Sequence, residues 1–292
     1  MKRSFALLAV LLAALVVAGN AAERHVSVLS GQSNMARMKE TKGFLNNGVT
    51  AHRGNSGEFP ECTMPAFRSG IAVGADWIEL DILRTRDGKL VVIHDRQTGR
   101  VGDRDYDVMQ ASYAELLQVD VATDFRKRTG KTLSDCPQER MPLLSEVLEL
   151  VMQQEKTRVS IQPKMDCVAD AINLIREMGA NRWVGFNDGN LKYMSEVKKL
   201  APEIPVFWDR GNSDLAEDLV IARQRGFEAL VLNSGVLTAE KIERIHRAGF
   251  EAGVWIVNTD SELRRFLEMS VDRIYTDRPA RLLELKRGTH KN

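Results

Sequence analysis

The sequence predicts an α/β chain wound as a (β/α)8 TIM barrel, with an extra β-hairpin arm and a long loop after the second strand. Three observations predict it. Eight short apolar runs recur from Val49 onward: "VTAH", "WIELDI", "RVSIQ", "WVGF", "PVFW", "ALVL", "AGVWIV" and "RIYT". Between them lie stretches such as "CVADAINLIREMG", "NLKYMSEVKKL", "DLAEDLVIARQRG", "TAEKIERIHRAG" and "DSELRRFLEMS", whose apolar residues fall three and four apart, as on one face of a helix. No Gly-x-Gly-x-x-Gly turn follows the first run, which weighs against the alternative, a doubly wound open sheet.

In chain order, residues 1–22 read as a secretory leader. Lys2 and Arg3 precede the apolar run "FALLAVLLAALVVA", which is too short to span a bilayer comfortably, and "GNAA" offers small residues for cleavage near Ala21 or Ala22. An uncleaved membrane anchor is the alternative; no Cys follows the run to carry a lipid. The mature chain is expected to begin near Glu23 and to be exported, to the periplasm or the medium, with no stable membrane insertion. Residues 23–48 read as an N-terminal arm or linker, 49–287 as the barrel and 288–292 as a tail. After "WIELDI", the stretch "LRTRDGKLVVIHD" reads as a hairpin arm turning at Asp87-Gly88. Residues 96–142 then read as a long polar loop. Loops at the C-terminal ends of barrel strands are where this fold places chemistry.

Composition sets outer bounds. The chain has 292 residues, 43% hydrophobic and 28% charged, enough for one large domain or two small ones. A formal net charge of +1 gives no reason to expect nucleic acid. Cys62, Cys136 and Cys167 form neither a disulfide framework nor a zinc spacing, and a single bridge among them stays open.

Side chains in "WIELDI" alternate, so Ile78, Leu80 and Ile82 face the helices while Trp77, Glu79 and Asp81 face the barrel interior. Two carboxylates on one buried face repel each other and lose solvation. A divalent cation relieves both costs, and paired oxygens suit Mg²⁺ or Ca²⁺; a solvated edge strand with two surface acids is the alternative. His52 and His94 stand at strand ends beside Arg53 and Asp95, a setting for acid/base work. His25, His246 and His290 look ordinary. Lys164, two residues after Gln162, could join Arg53 in holding a phosphate, or could be a strand-end lysine whose stem packs on apolar surface.

The ordered set "AHRGNSGEFPECTMPAF", "GADWIELDILRTRDGKLVVIHD", "MPLLSEVLEL", "VWIVN" and "VDRIYTDRP" resembles the glycerophosphodiester phosphodiesterases, over roughly residues 49–279. The resemblance implies a barrel enzyme with a divalent metal, Ca²⁺ or Mg²⁺, that hydrolyses small-molecule glycerophosphodiesters to glycerol phosphate and an alcohol. It implies that His52 and His94 are the acid/base pair and that Glu79 and Asp81 bind the metal. Arg53 and Lys164 would then stabilise phosphate charge, Glu61 would line the site near metal or glycerol, and Trp255 would wall the pocket. In the implied mechanism the glycerol 2-hydroxyl attacks phosphorus, and water opens the resulting cyclic phosphate.

The match departs at Gln162, where the family usually carries a third metal-binding Glu. An amide oxygen ligates a hard cation but brings no charge, so metal affinity is expected to fall unless Glu61 compensates. Cys62 stands where Asn is commoner. A catalytically weakened binding protein on the same barrel is therefore the alternative function. A third reading comes from "SVLSGQSNMARM", which resembles the nucleophile block of sialate O-acetylesterase-type hydrolases, with Ser33 as nucleophile. That fold needs a downstream Asp-x-x-His and room that the chain does not leave after Met38, so Ser33 reads as non-catalytic. Head group and oligomeric state stay open.

Overall fold

The computed structural model describes residues 48–289. Its strands are β1 (Gly48–Ala51), β2 (Trp77–Arg84), β3 (Leu90–Val92), β4 (Arg158–Pro163), β5 (Val184–Asp188), β6 (Val206–Arg210), β7 (Ala229–Asn233), β8 (Glu251–Trp255) and β9 (Arg273–Thr276). All but β3 run parallel, each beside the next, and β1 pairs with both β2 and β9, so the sheet closes into an eight-stranded barrel. The hairpin arm is β3, antiparallel to the end of β2 with Ile82 opposite Val92 and Arg84 opposite Leu90.

The helices are α1 (Met64–Ala72), α2 (Tyr113–Leu116), α3 (Thr123–Thr129), α4 (Leu144–Met152), α5 (Val168–Glu177), α6 (Leu191–Leu200), α7 (Leu215–Arg225), α8 (Ala239–Arg247), α9 (Asp260–Glu268) and α10 (Pro279–Thr289). α5 shows why the outer ring forms. Val168, Ala171, Ile172 and Ile175 fall on one helical face and are buried, in the same apolar cluster as Val159 and Ile161 of β4. α1 starts where Thr63 Oγ1 accepts from the Ala66 N–H, with Pro65 in its first turn.

Strand alternation divides the core. Ile78, Leu80 and Ile82 join the cluster between sheet and helices, while Trp77 joins Phe207, Ala229, Val231 and Tyr275 inside the barrel. Trp77 and Phe207 meet edge to face at 5.0 Å. The fully buried Arg273 lies 3.6 Å over the Phe207 ring and pairs with Glu251 at 2.9 Å. Gly185 leaves the space this requires, since a Cβ there would stand 2.7 Å from the Phe207 ring. Most of these residues open their strands, so they plug the N-terminal end and leave the chemistry to the other.

Residues 96–142, expected as a polar loop, are a small structured excursion. They carry α2 and α3, and Val101, Val108, Leu116, Val119, Val121 and Met141 pack with Leu83, Val91 and Ile93 of the hairpin in a second apolar cluster. Their spacing follows neither the helical nor the strand period, so no pattern marks them in the sequence.

Cys62, Cys136 and Cys167 are unbridged and buried. Among the described residues no helix is long and apolar enough to cross a membrane. The leader, the arm with His25 and Ser33, and His290 lie outside the described residues.

Candidate active site

β1 ends at Ala51 and the chain turns sharply over the barrel mouth. The His52 N–H donates to the Thr276 carbonyl at 2.9 Å, which ties the turn to β9. Arg53 adopts a φ of 53°, a strained conformation for a residue with a side chain. Its N–H donates to Glu79 Oε2 at 3.0 Å, which helps hold it there. Gly54 follows at φ 82°, and a Cβ on it would stand 2.7 Å from the Ala66 backbone, so only glycine fits the turn.

The two histidines are held differently. His52 Nδ1 bonds Asp277 Oδ1 at 2.6 Å, and Asp277 is itself fixed by Asn258 Nδ2 at 2.5 Å and Ser56 Oγ at 3.0 Å. His52 Nε2 faces Glu79 at 4.0 Å. Burial pulls the His52 pKa down, but the Asp277 hydrogen bond and the Glu79 charge outweigh it and leave it raised. His94, just past β3, bonds Asp95 Oδ1 through Nδ1 at 2.5 Å and meets Lys164 Nζ through Nε2 at 3.1 Å. An ammonium only donates, so this contact suits a lone pair on Nε2. Burial, with the Arg53 and Lys164 charges, holds the His94 pKa below its usual value.

Glu79 and Asp81 project into the mouth from β2, 2% and 0% exposed. Burial and the Asp81 charge push Glu79 up to about 7. Asp81 Oδ2 lies 3.5 Å from Arg53 Nε, and Oδ1 lies 3.4 Å from Lys164 Nζ. Among the described residues Asp81 Oδ1 accepts no hydrogen bond. Gln162 stands opposite Asp81 in the ladder, its Oε1 accepting from Lys164 Nζ at 2.9 Å and its Nε2 donating to Asp209 Oδ2 at 3.2 Å. Burial pushes Asp209 up to about 8, with Asp188 and Glu79 adding to the shift.

His52, Arg53, Glu79, His94, Gln162, Lys164 and Trp255 all line one cavity of about 440 Å³. Glu61 is placed differently. Its Oε1 takes Arg53 Nη1 at 2.9 Å and Arg100 Nη2 at 2.6 Å, and its Oε2 takes Arg100 Nη1 at 2.9 Å. Both its oxygens are thus occupied by guanidinium groups, which hold its pKa low against burial, and it anchors the arginines.

Glu79, Asp81 and the Gln162 amide oxygen form a set of hard oxygen donors. Two buried carboxylates, one with an oxygen that accepts no hydrogen bond, match what a divalent cation relieves. Among the described residues no group of three or more His, Cys, Asp and Glu side chains converges as a metal cluster; a third oxygen donor beside Glu79 and Asp81 would be the Gln162 amide.

Sequence reasoning missed Asp277, Asp209 and Arg100. Asp209 had a signal, because it alternates with the interior Phe207 in "PVFWDR". Asp277 and Arg100 had none short of the fold, since their partners are distant in sequence.

The glycerophosphoryl diester phosphodiesterase family matches residues 52–281. A glycerophosphodiester phosphodiesterase of Bacillus altitudinis is 29% identical over 82% of this chain and 97% of its own length. A lysophospholipase D of Homo sapiens is 23% identical over 85% of this chain and 88% of its own. Among solved structures, an Oleispira antarctica phosphodiesterase in complex with the product sn-glycerol-3-phosphate superposes with a TM-score of 0.72 at 22% identity, covering 83% of this chain and 97% of that one. A glycerophosphoryl diester phosphodiesterase structure from Silicibacter pomeroyi gives a TM-score of 0.76 at 21% identity, over 84% and 95%. With the family matched across nearly the whole barrel, the chain belongs to the glycerophosphoryl diester phosphodiesterases and is a phosphoric diester hydrolase.

Proposed function

We propose that the chain is an exported, metal-dependent glycerophosphodiester phosphodiesterase that releases glycerol phosphate and an alcohol by histidine acid/base catalysis. The observation that carries this reading is a pair of histidines lining one cavity, each with its Nδ1 bonded to a carboxylate. His94 offers a lone pair beside Lys164, and His52 is biased toward its cation by Asp277 and Glu79.

The substrate phosphate sits between Arg53 and Lys164, whose charges offset its own. His94 Nε2 takes the proton of the glycerol 2-hydroxyl as that oxygen bonds to phosphorus. His52 Nε2 gives its proton to the departing alcohol oxygen as the old P–O bond breaks. Water then opens the cyclic phosphate with the roles reversed, which returns both rings to their starting states. Asp95 and Asp277 keep each ring's Nδ1 proton in place and its Nε2 aimed at the cavity. A divalent cation, Ca²⁺ or Mg²⁺, would be held by Glu79, Asp81 and Gln162 and would draw charge from the phosphoryl oxygens. Trp255 supplies an apolar wall for the glycerol or the leaving group.

Small polar diesters such as glycerophosphocholine are the default substrates. The Oleispira structure with sn-glycerol-3-phosphate supports a glycerol phosphate product, and the human lysophospholipase D keeps longer leaving groups in view. Export rests on the leader pattern of residues 1–22. Replacing His52 or His94 by Ala is expected to lower turnover of glycerophosphocholine by about 10²–10⁴. Full activity in both variants would leave the chemistry to other residues and end this reading.

A further inference from the structure

Asp81 stands opposite a neutral amide, Gln162, and behind that amide stands a further acidic side chain. Gln162 reaches from β4 past β5 to Asp209 on β6, placing Nε2 3.2 Å from Asp209 Oδ2. Asn187 on β5 donates to the same oxygen at 3.2 Å, and its own Oδ1 accepts from Ser160 at 2.6 Å. The amide cannot turn over in this setting. Lys164 has only protons to give, so the amide oxygen must face it, and the nitrogen must then face the carboxylate. The result is directional: Asp209 accepts from the N–H end, and the oxygen end points at Lys164.

A second observation shows what that end accepts. Asp81 Oδ1, Gln162 Oε1 and His94 Nε2 converge on the Lys164 ammonium at 3.4, 2.9 and 3.1 Å. These lone pairs already surround a positive charge, and Asp81 Oδ1 is fully buried without a hydrogen bond. We propose that Asp209 is a positioning residue for cation binding, acting through Gln162: it holds the amide nitrogen and so keeps the amide oxygen turned to the side where Lys164 meets Asp81. The inference rests on the reading that a divalent cation binds at Glu79 and Asp81. It makes Gln162 and Asp209 a single device, so each residue's effect depends on the other.

The test is calorimetric titration of the full chain with Ca²⁺ and with Mg²⁺, without substrate, for the natural protein, Glu79→Gln, Asp209→Asn, Gln162→Glu and the double variant Gln162→Glu/Asp209→Asn. Asp209→Asn is expected to weaken cation binding at least tenfold, and the double variant to return it to within a few-fold of the natural protein. Gln162→Glu should then gain far more when combined with Asp209→Asn than beside the natural Asp209, where two carboxylates would be in contact. The rescue also shows that Asp209→Asn folds. Two results overturn the proposal while leaving the cation site standing: binding lost in Glu79→Gln but unchanged in Asp209→Asn, or an equal gain from Gln162→Glu in both backgrounds. A natural protein that binds neither cation, or binds it unaffected by Glu79→Gln, overturns both the proposal and the reading beneath it.

Discussion

At His52 and His94 the same side chain is biased in opposite directions by its neighbours. Asp277 and Glu79 stabilise the His52 cation, whereas burial, Arg53 and Lys164 favour neutral His94. The free-enzyme profile of kcat/KM against pH is therefore expected to be a bell. Its acid limb should lie below the usual histidine value near 6.5, where His94 gains a proton, and its alkaline limb above it, where His52 loses one. Asp277→Asn should move the alkaline limb down and leave the acid limb in place; a profile whose alkaline limb stays put would remove Asp277 from this role. Both histidines were legible in the sequence because each follows a strand-like run. Their protonation was not, since Asp277 lies 225 residues from His52 and Lys164 lies 70 from His94. Only closure of the barrel brings them together.

Among the elements, the hairpin and the excursion after it contribute Arg100. Its guanidinium contacts Asp95, which orients His94, and also Glu61, which orients Arg53. An element outside the barrel thereby links the groups that hold His94 and Arg53. Arg100→Ala leaves the Asp95 charge unopposed beside His94, so the His94 pKa should rise. The expected outcome is roughly a tenfold lower kcat, with the acid limb displaced to higher pH. A loss of rate with no shift of that limb would mean that Arg100 acts on packing alone. The hairpin could be read from Asp87-Gly88, and the barrel strands and helices from their periods. The excursion could not, because its apolar residues are gathered by contact with the hairpin and carry no period of their own.

For the whole molecule, the buried carboxylates link stability to pH and to cation. Glu79 titrates near 7 in the folded chain, above the usual carboxylate range near 4.5, so the folded state holds a proton that the unfolded chain releases. Metal-free stability should therefore be greatest below about 4.5 as regards this group and fall as pH rises toward 7. A bound cation needs ionised carboxylates, so the rise in Tm on adding Ca²⁺ should grow over the same window. A Ca²⁺-dependent rise in Tm that is the same at pH 5 and pH 8 would contradict this linkage. The fold was legible because barrel architecture follows from repeated strand and helix periods. The contact of Gln162 with Asp209 was not, because Asp209 stands on a strand two positions away in the sheet.

The most direct measurement is glycerol phosphate release from glycerophosphocholine by the unsubstituted chain from Glu23 onward, with Ca²⁺, with Mg²⁺ and with chelator. Turnover with at least one cation, abolished by chelator and restored when the cation is returned, is the predicted result. Turnover that persists undiminished in chelator would contradict a cation at Glu79 and Asp81. Binding of the diester without release of glycerol phosphate under any of these conditions would make the barrel a binding protein.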